Sequence, residues 1–187
     1  MKHFFDRISE NPVIASIYDL DALNLALDSP CEIIFLLTGN IFNLKEIANK
    51  VRKANKGLYI LVDSIDGFSK DTWGLEYIVK NICPDGIITE KNYLIKLSKD
   101  MGVFTIQRLY ISDSYALKKD LDSIKKNRPN AVELLPGIVP AIISQVIKET
   151  KISLIASGLI RNKDGMNLAF KAGAIGISTS KKDIWYV

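Results

Sequence analysis

The sequence predicts a single α/β domain of the (β/α)8 barrel type, spanning residues 1–187. Three observations support this prediction. Short apolar runs recur eight times, a segment of helical periodicity follows nearly every run, and most runs are continuously apolar rather than alternating. Continuous apolar runs are typical of parallel strands that are covered on both faces. Eight strand–helix repeats favour a closed barrel, and an open parallel sheet stays as the alternative.

The eight predicted strands follow the apolar runs in chain order. They are Val13–Ile17, Glu32–Leu37, Leu58–Val62, Gly86–Thr89, Val103–Arg108, Ala131–Leu135, Leu154–Ala156 and Ala174–Ser178. The chain is short for an eight-unit barrel, so we expect short loops. Only Lys181–Val187 remains for a last, short helix, and His3–Ser9 is expected to cover the base of the barrel.

Helices are predicted between the strands because apolar residues repeat there at positions i, i+3, i+4 and i+7. The stripes are Leu44/Ile47/Ala48/Val51, Leu75/Ile78/Val79/Ile82, Leu117/Leu121/Ile124 and Val139/Ile142/Ile143/Val146. Four polar residues stand where helices should begin. Asn43, Ser69, Ser112 and Asn162 are therefore the expected N-caps.

Composition limits the classes of protein that the chain belongs to. It is 48% hydrophobic and 25% charged, as in ordinary globular domains, and no apolar run approaches the roughly 20 residues of a membrane span. The first residues lack a secretory signal pattern, so we expect a cytoplasmic protein without a membrane partner. The two cysteines, Cys31 and Cys83, have no metal-type spacing, and we expect neither a metal nor a cofactor.

Two neighbouring strand ends near the close of the chain carry small, hydrogen-bonding residues. Gly158 follows the seventh strand, and Ser178, Thr179 and Ser180 end the eighth. The last two units of a β/α barrel commonly hold a phosphate. Glycine permits close backbone approach, hydroxyls donate hydrogen bonds, and a short helix starting near Lys181 would add its positive N-terminus. The alternative is that these residues merely form tight strand-to-helix turns.

Charged residues at other strand ends face the same predicted barrel mouth. Glu133 lies inside an apolar strand, and alternation with Val132 and Leu134 turns it toward the barrel axis. Arg108 ends the adjacent strand, so an Arg108–Glu133 pair is expected, either as a structural salt bridge or as a ligand-orienting pair. Asp63, after the third strand, either bonds a ligand hydroxyl or caps the next turn.

Other features concern catalysis and nucleic-acid binding. His3 is the only histidine and lies outside the predicted mouth, and no nucleophile pair or metal-ligand cluster is present, so no catalytic residue is assigned. The net charge of +4 permits nucleic-acid binding without diagnosing it. Lys45, Arg52 and Lys56 lie near one predicted helical face, which is either a solvated outer face or an RNA-binding surface.

Six short motifs resemble the glycerol-3-phosphate-responsive antiterminator family, the regulators of glycerol uptake operons. In chain order they are Ile34–Gly39, Asp85–Thr89, Thr105–Arg108, Val132–Gly137, Gly158–Arg161 and Ile177–Thr179. The resemblance runs nearly end to end, from Asn11 to Trp185. Each motif is short, and their order and spacing make the resemblance specific.

The resemblance implies a barrel that binds glycerol 3-phosphate as its effector and leader mRNA as its partner. By position, it implies that Gly158, Ser178 and Thr179 form the phosphate corner. Ser157 stands where the family pattern has a second glycine, and its hydroxyl either adds a phosphate contact or narrows the loop. The resemblance also implies that Asp63, Arg108 and Glu133 line the mouth, but it marks no RNA-binding surface.

Two functions remain after the sequence is read in this way. The first is a ligand-gated, RNA-binding regulator of glycerol genes. The second is a small barrel enzyme acting on a phosphorylated metabolite, of the aldolase, isomerase or prenyltransferase type. The barrel fold alone favours an enzyme, whereas the sparse acid–base equipment and the resemblance favour the regulator. The sequence leaves open the oligomeric state, the RNA target and the coupling of ligand to RNA.

Overall fold

A computed structural model describes residues 3–187, so Met1 and Lys2 lie outside the described part of the chain. The strands are β1 (Val13–Ile17), β2 (Ile33–Leu36), β3 (Gly57–Leu61), β4 (Gly86–Thr89), β5 (Phe104–Tyr110), β6 (Ala131–Leu135), β7 (Leu154–Ser157) and β8 (Gly176–Thr179). They close into one parallel barrel in sequence order, with β8 paired to β1. The predicted barrel is therefore confirmed, and the open sheet is excluded.

The helices surround the barrel. They are α1 (Phe4–Glu10), α2 (Leu23–Asp28), α3 (Leu44–Lys53), α4 (Thr72–Tyr77), α5 (Asn92–Asp100), α6 (Ser114–Asn127), α7 (Pro140–Thr150) and α8 (Lys163–Lys171). A π-helical turn, Ile78–Ile82, extends α4. The chain ends in a five-residue 3-10 turn, Lys182–Tyr186, in the place of the predicted short last helix. None of the helices between residues 3 and 187 is both long and apolar enough to cross a bilayer.

The predicted helical stripes pack against the outside of the barrel. In α3, Leu44, Ile47, Ala48 and Val51 are all buried, and in α6 the predicted leucines and isoleucine are buried as well. The stripe predicted for α7 is only partly right. Val139 precedes that helix and is exposed, because Pro140 occupies the first helical turn, where its missing N–H has no cost.

Two of the four predicted N-caps are wrong. Asp71 Oδ1 accepts the Gly74 N–H at 2.9 Å and Asp113 Oδ1 accepts the Ala116 N–H at 2.8 Å, so these aspartates cap α4 and α6. They displace Ser69 and Ser112 from the predicted role. A charged carboxylate accepts these N–H groups more strongly than a neutral hydroxyl and also interacts with the helix dipole.

The inside of the barrel holds a separate apolar cluster that the N-terminal helix closes. Phe4 of α1 is buried, with its ring centroid 5.2 Å from that of Tyr59 and 4.8 Å from that of Phe104. Both partners lie near the N-terminal ends of their strands. The expectation that His3–Ser9 covers the base is confirmed in substance, and the opposite end of the barrel is left as the mouth.

Candidate functional site

A cavity of about 370 Å³ opens at the mouth, where β7, β8 and β1 meet. Its walls come from the ends of these strands and the loops that follow them. The residues that line it are Ser16, Tyr18, Ser157, Gly158, Leu159, Ile160, Arg161, Ser178, Thr179, Ser180 and Lys181. All five residues that were predicted for the phosphate corner therefore line one cavity.

Two buried hydroxyls form the floor of this cavity. Ser16 on β1 and Ser178 on β8 lie opposite one another across the closure of the barrel, with their Oγ atoms 2.5 Å apart. Only one of the two protons lies between the oxygens, because a hydroxyl donates one hydrogen bond. The other hydroxyl keeps a proton that it can donate to a ligand in the cavity.

The loop after β7 depends on a glycine. Gly158 has φ +74°, a left-handed conformation that side chains with a Cβ adopt at a cost, and a Cβ built there would lie 3.3 Å from Leu135 Cδ2. Ser157 precedes it at the end of the strand, and its carbonyl accepts the Gly137 N–H at 2.5 Å. The backbone at this corner is thus held close to the cavity.

The charges around the cavity are positive. Exposed Arg161 and Lys181 lie on its rim, and none of the described residues that line it is acidic. The Thr179 hydroxyl accepts the Lys181 N–H at 3.1 Å, which fixes the turn after β8. Hydroxyl donors on the floor and two cations on the rim form a corner that suits an anion.

The other half of the mouth is charged and includes a buried ion pair. Arg108 and Glu133 lie opposite each other on β5 and β6, with Arg108 Nε donating to Glu133 Oε2 at 2.7 Å. The predicted pair is therefore confirmed, with both side chains almost fully buried. Burial alone would lower the pKa of Arg108, but the charge of Glu133 and the hydrogen bond outweigh it and leave that pKa above its usual value.

Several polar atoms of this charged half have no hydrogen-bond partner. Arg108 Nη2, Glu133 Oε1 and Asp63 Oδ1 are buried and unpartnered among the described residues. Lys91 Nζ lies 3.8 Å from Asp63 Oδ1, and Asp63 Oδ2 accepts the Glu90 N–H at 2.9 Å. Buried polar groups are nearly always satisfied. The free donor and acceptors therefore form a set that a polar ligand could complete.

Tyr18 and Glu90 connect the groups of the mouth. Burial raises the pKa of the Tyr18 phenol, which lines the cavity and also lies within reach of Arg108 and Glu133. Partial burial raises the pKa of Glu90, and the nearby charges of Asp63 and Glu133 raise it further. The charge of Arg108 partly offsets this increase, so charged groups from β5, β6 and the loop after β3 all lie near Glu90.

The three residues of the predicted basic face line one cavity of about 330 Å³, separate from the cavity at the mouth. Arg52 donates to Asn49 Oδ1 at 3.0 Å and to the Ile82 carbonyl at 3.1 Å. Lys56 donates to the carbonyls of Ser29 and Cys31, both at 2.6 Å, and burial lowers its pKa. Lys56 lies beyond the end of α3 at Lys53, yet it lines the same cavity as the other two residues. Lys45 and Arg52 are exposed, and of the three only Lys45 has no such contact in the described structure.

Sequence reasoning did not identify Ser16, Tyr18, Glu90, Arg161 or Lys181 as site residues. Two of them carried a usable signal: Ser16 interrupts the apolar run of β1, and Glu90 directly follows the predicted fourth strand. Gln107, which precedes Arg108 on β5, points outward from the barrel. Its Nε2 donates to Ser123 Oγ of α6 at 2.8 Å.

Solved structures with this architecture include two related regulators. A glycerol uptake operon antiterminator regulatory protein from Listeria monocytogenes is 28% identical, with a TM-score of 0.91, 94% of this chain and 95% of that chain covered. A glycerol uptake operon antiterminator-related protein from Thermotoga maritima is 26% identical, with a TM-score of 0.83, 92% of this chain and 96% of that chain covered. Deoxyribose phosphate aldolase from Aeropyrum pernix, at 16% identity, shares the fold alone.

Sequence comparison gives a consistent result. The uncharacterised protein YgcP of Escherichia coli is 33% identical over 178 residues, which cover 95% of this chain and 93% of YgcP. The family described as "Glycerol-3-phosphate responsive antiterminator" matches residues 13–185, nearly the whole barrel. The chain therefore belongs to the glycerol-3-phosphate responsive antiterminator family.

Proposed function

We propose that the protein is a transcription antiterminator that binds glycerol 3-phosphate at the barrel mouth and, in response, binds a leader mRNA of glycerol genes. The observation that supports glycerol 3-phosphate as the ligand is that the two sides of the mouth differ in their polar groups. One side offers hydroxyl donors and cations without a carboxylate, and the other offers a buried arginine and carboxylates with free polar atoms. A phosphate suits the first side and a pair of hydroxyls suits the second.

In the proposed pose the phosphate lies between Gly158 and Ser178–Thr179, near Ser157 and Ser180. Arg161 and Lys181 supply opposite charge from the rim. The glycerol hydroxyls point toward Asp63, Arg108 and Glu133, where they donate to the free carboxylate oxygens and accept from Arg108 Nη2. No cofactor takes part, and an RNA partner places the action of the protein in the cytoplasm.

Calorimetric titration with glycerol 3-phosphate tests this pose, with glycerol and inorganic phosphate as separate control ligands. Ser178→Asp places a carboxylate against the phosphate and should weaken binding at least 10-fold, or about 1.4 kcal/mol. Ser178 is fully buried within β8, so circular dichroism must first show a folded variant. Lys181→Glu changes an exposed residue and should weaken binding in the same direction without affecting the fold.

Lys171→Glu is the matched control because it reverses an exposed charge at the far end of α8. It should bind the ligand like the parent. If folded Ser178→Asp and Lys181→Glu both bind glycerol 3-phosphate as tightly as the parent, the phosphate does not lie at this corner. Gly158→Val should also weaken binding, since it combines an unfavourable φ with a close approach to Leu135.

The proposal includes no turnover of the ligand. A Schiff-base aldolase needs a desolvated lysine at its active site, whereas Lys56, whose pKa is lowered by burial, lies just before β3, at the base of the barrel. Incubating the protein with glycerol 3-phosphate and recording phosphorus NMR spectra tests this part. A protein-dependent new phosphorus signal would favour the barrel enzyme over the regulator.

A further inference from the structure

Four exposed aromatic side chains surround one half of the mouth, in four consecutive β/α units. Phe42 precedes α3, while Trp73, Tyr93 and Tyr115 each lie in the first turn of α4, α5 and α6. Phe42, Trp73 and Tyr115 are 93%, 77% and 80% exposed. Tyr93 is 49% exposed. We name these four residues the aromatic arc. Large aromatic side chains are seldom this exposed, so four of them in consecutive units indicate a surface that binds a partner.

Every ring of the aromatic arc has an exposed lysine within four residues along the chain. The lysines are Lys45 beside Phe42, Lys70 beside Trp73, Lys96 beside Tyr93, and Lys118 and Lys119 beside Tyr115. Tyr115, Lys118 and Lys119 also line one shallow surface depression together with Asp122, so two cations and one carboxylate surround this ring. Alternating rings and cations are the pattern with which proteins hold single-stranded nucleic acid, because bases stack on rings while phosphates attract lysines.

The carboxylates between the rings are largely engaged in local contacts. Asp71 and Asp113 cap helices, and the backbone N–H groups that they accept lower the pKa of each carboxyl. Their negative charges therefore face the positive ends of α4 and α6. The lysines carry no comparable pairing, apart from Lys70, whose Nζ donates to the Asp63 carbonyl.

The shape of the surface favours RNA over a protein partner. A protein-binding patch has a contiguous apolar centre that excludes water. Here the rings project singly from separate helices, whose axes in a packed layer lie about 10 Å apart, with polar residues between them. Separate rings suit separate bases, each of which has two faces on which to stack.

The aromatic arc is also connected to the proposed ligand site. The Tyr93 hydroxyl donates to the Lys70 carbonyl, and Lys70 Nζ donates to the Asp63 carbonyl. Asp63 Oδ1, which has no hydrogen-bond partner and lies 3.8 Å from Lys91 Nζ, is in turn one of the polar atoms of the mouth. A ligand that engages Asp63 therefore contacts the loop that positions Lys70, Tyr93 and Trp73.

We infer that the aromatic arc and its lysines are the surface on which the protein binds a single-stranded segment of RNA. This inference rests on the proposed function for the nature of the partner. It goes beyond the resemblance, which marks no RNA surface, and it retains Lys45 alone from the predicted basic face.

Intrinsic fluorescence gives a direct readout because the two tryptophans differ in exposure. Trp73 projects into water, whereas Trp185 is fully buried and donates from Nε1 to the Thr179 carbonyl at 2.8 Å. The probe is an RNA pool with a randomised single-stranded segment, enriched on the parent protein in the presence of glycerol 3-phosphate. Stacking should quench the Trp73 emission, and Trp73→Phe should abolish the quenching while preserving most of the affinity.

Trp73→Ala and Tyr115→Ala should each weaken RNA binding about 10-fold, equivalent to about 1.4 kcal/mol, since each removes one stacking ring. Trp73→Phe and Tyr115→Phe keep a ring and should stay close to the parent. Tyr186→Ala is the matched control, because it removes an exposed tyrosine from the final turn, on the opposite side of the barrel. Ligand affinity and the unfolding midpoint should be unchanged in all five variants.

The outcomes separate this inference from the proposed function. If the parent binds the enriched RNA and the alanine variants bind it equally well, the aromatic arc is not the RNA surface, and the proposed function stands. If no RNA is enriched with or without glycerol 3-phosphate, the RNA half of the proposed function fails together with the inference. If the alanine variants change the sedimentation of the protein and leave RNA binding unchanged, the rings contact a second copy of the chain instead.

Discussion

The base and the mouth of the barrel each contain one buried arginine, and the two differ in how well they are satisfied. At the base, Arg7 Nη1 donates to the Asn55 carbonyl at 2.8 Å, to Glu32 Oε2 at 3.1 Å and to the Glu32 carbonyl at 3.4 Å. At the mouth, Arg108 has a single carboxylate partner, and Nη2 has none. Each arginine keeps one buried nitrogen without a hydrogen-bond partner, Arg7 Nε at the base and Arg108 Nη2 at the mouth. Among the described residues, buried carboxylate oxygens without such a partner, Glu133 Oε1 and Asp63 Oδ1, occur only at the mouth, which therefore retains more unused hydrogen-bonding capacity.

The same contrast holds for the apolar residues at the two ends. Phe4, Tyr59 and Phe104 pack ring against ring and close the base. At the mouth, Tyr18, Tyr110 and Tyr115 are more than half exposed. One end of the barrel therefore supplies stability, and the other keeps surface and polar atoms free for ligands. Variants at the two ends should accordingly affect different measurements.

The largest expected effect is on stability, from a change at the base. Phe4→Ala removes a buried ring and should lower the free energy of unfolding by about 3–5 kcal/mol. Urea denaturation measures this loss, and calorimetry should show unchanged glycerol 3-phosphate affinity for the folded variant. Phe5→Ala is the control, since Phe5 is half exposed and should lose much less. A reduced ligand affinity in folded Phe4→Ala would contradict the division of roles between the two ends.

The second effect comes from the ion pair of the mouth. Glu133→Gln leaves the charge of Arg108 buried without a counter-charge and should destabilise the protein by about 3 kcal/mol. The double variant Arg108→Met/Glu133→Leu removes both charges, and its stability should return to within about 1 kcal/mol of the parent. Ligand affinity of that double variant decides between the two roles left open by the sequence. We expect the double variant to lose ligand affinity, and unchanged affinity would show that the ion pair has only a structural role.

The fold was predictable because each strand and most helices carry their own local pattern. Continuous apolar runs give β1 to β8, and the helical spacing gives the buried face of α3 without reference to the rest of the chain. The convergence of the last two strand ends was also predictable, because the barrel rule identifies which strand ends are neighbours. Gly158 and Ser178 could thus be grouped from the sequence, and they line one cavity.

The remaining features depend on contacts that sequence spacing does not encode. Ser16 meets Ser178 only because β8 closes against β1, across a separation of 162 residues. Helical periodicity grouped Lys56 with Lys45 and Arg52, and it lines the same cavity, but it does so from beyond the helix end at Lys53, after a turn through Asn55 at φ 56°. Sequence reasoning also missed the aromatic arc. Its members are far apart in sequence and become one surface only when consecutive units are arranged around a barrel.

The smallest expected effect is on the pH dependence of stability, and it distinguishes Glu90 at the mouth from Glu149 on α7. Glu90 lies near other carboxylates, whereas Glu149 is paired with Lys125. Partial burial and the charges of Asp63 and Glu133 raise the pKa of Glu90, so ionising Glu90 costs more in the folded than in the unfolded protein. The contribution of Glu90 to stability should therefore fall as pH rises from about 4.3, the ordinary glutamate pKa, through the raised value. Glu90→Gln removes that loss.

Thermal unfolding at pH 4 and pH 7 measures this difference. Glu90→Gln should gain little at pH 4 and under about 1 kcal/mol at pH 7, because solvent screens this exposed group. For a domain of this size, that gain raises Tm by less than about 2–4 °C. Glu149→Gln is the control of opposite sign, since Lys125 and Gln145 lower the pKa of Glu149, and the variant should lose stability at pH 7. Equal changes in Tm at pH 4 and pH 7 for Glu90→Gln would show that ionising Glu90 does not destabilise the folded protein.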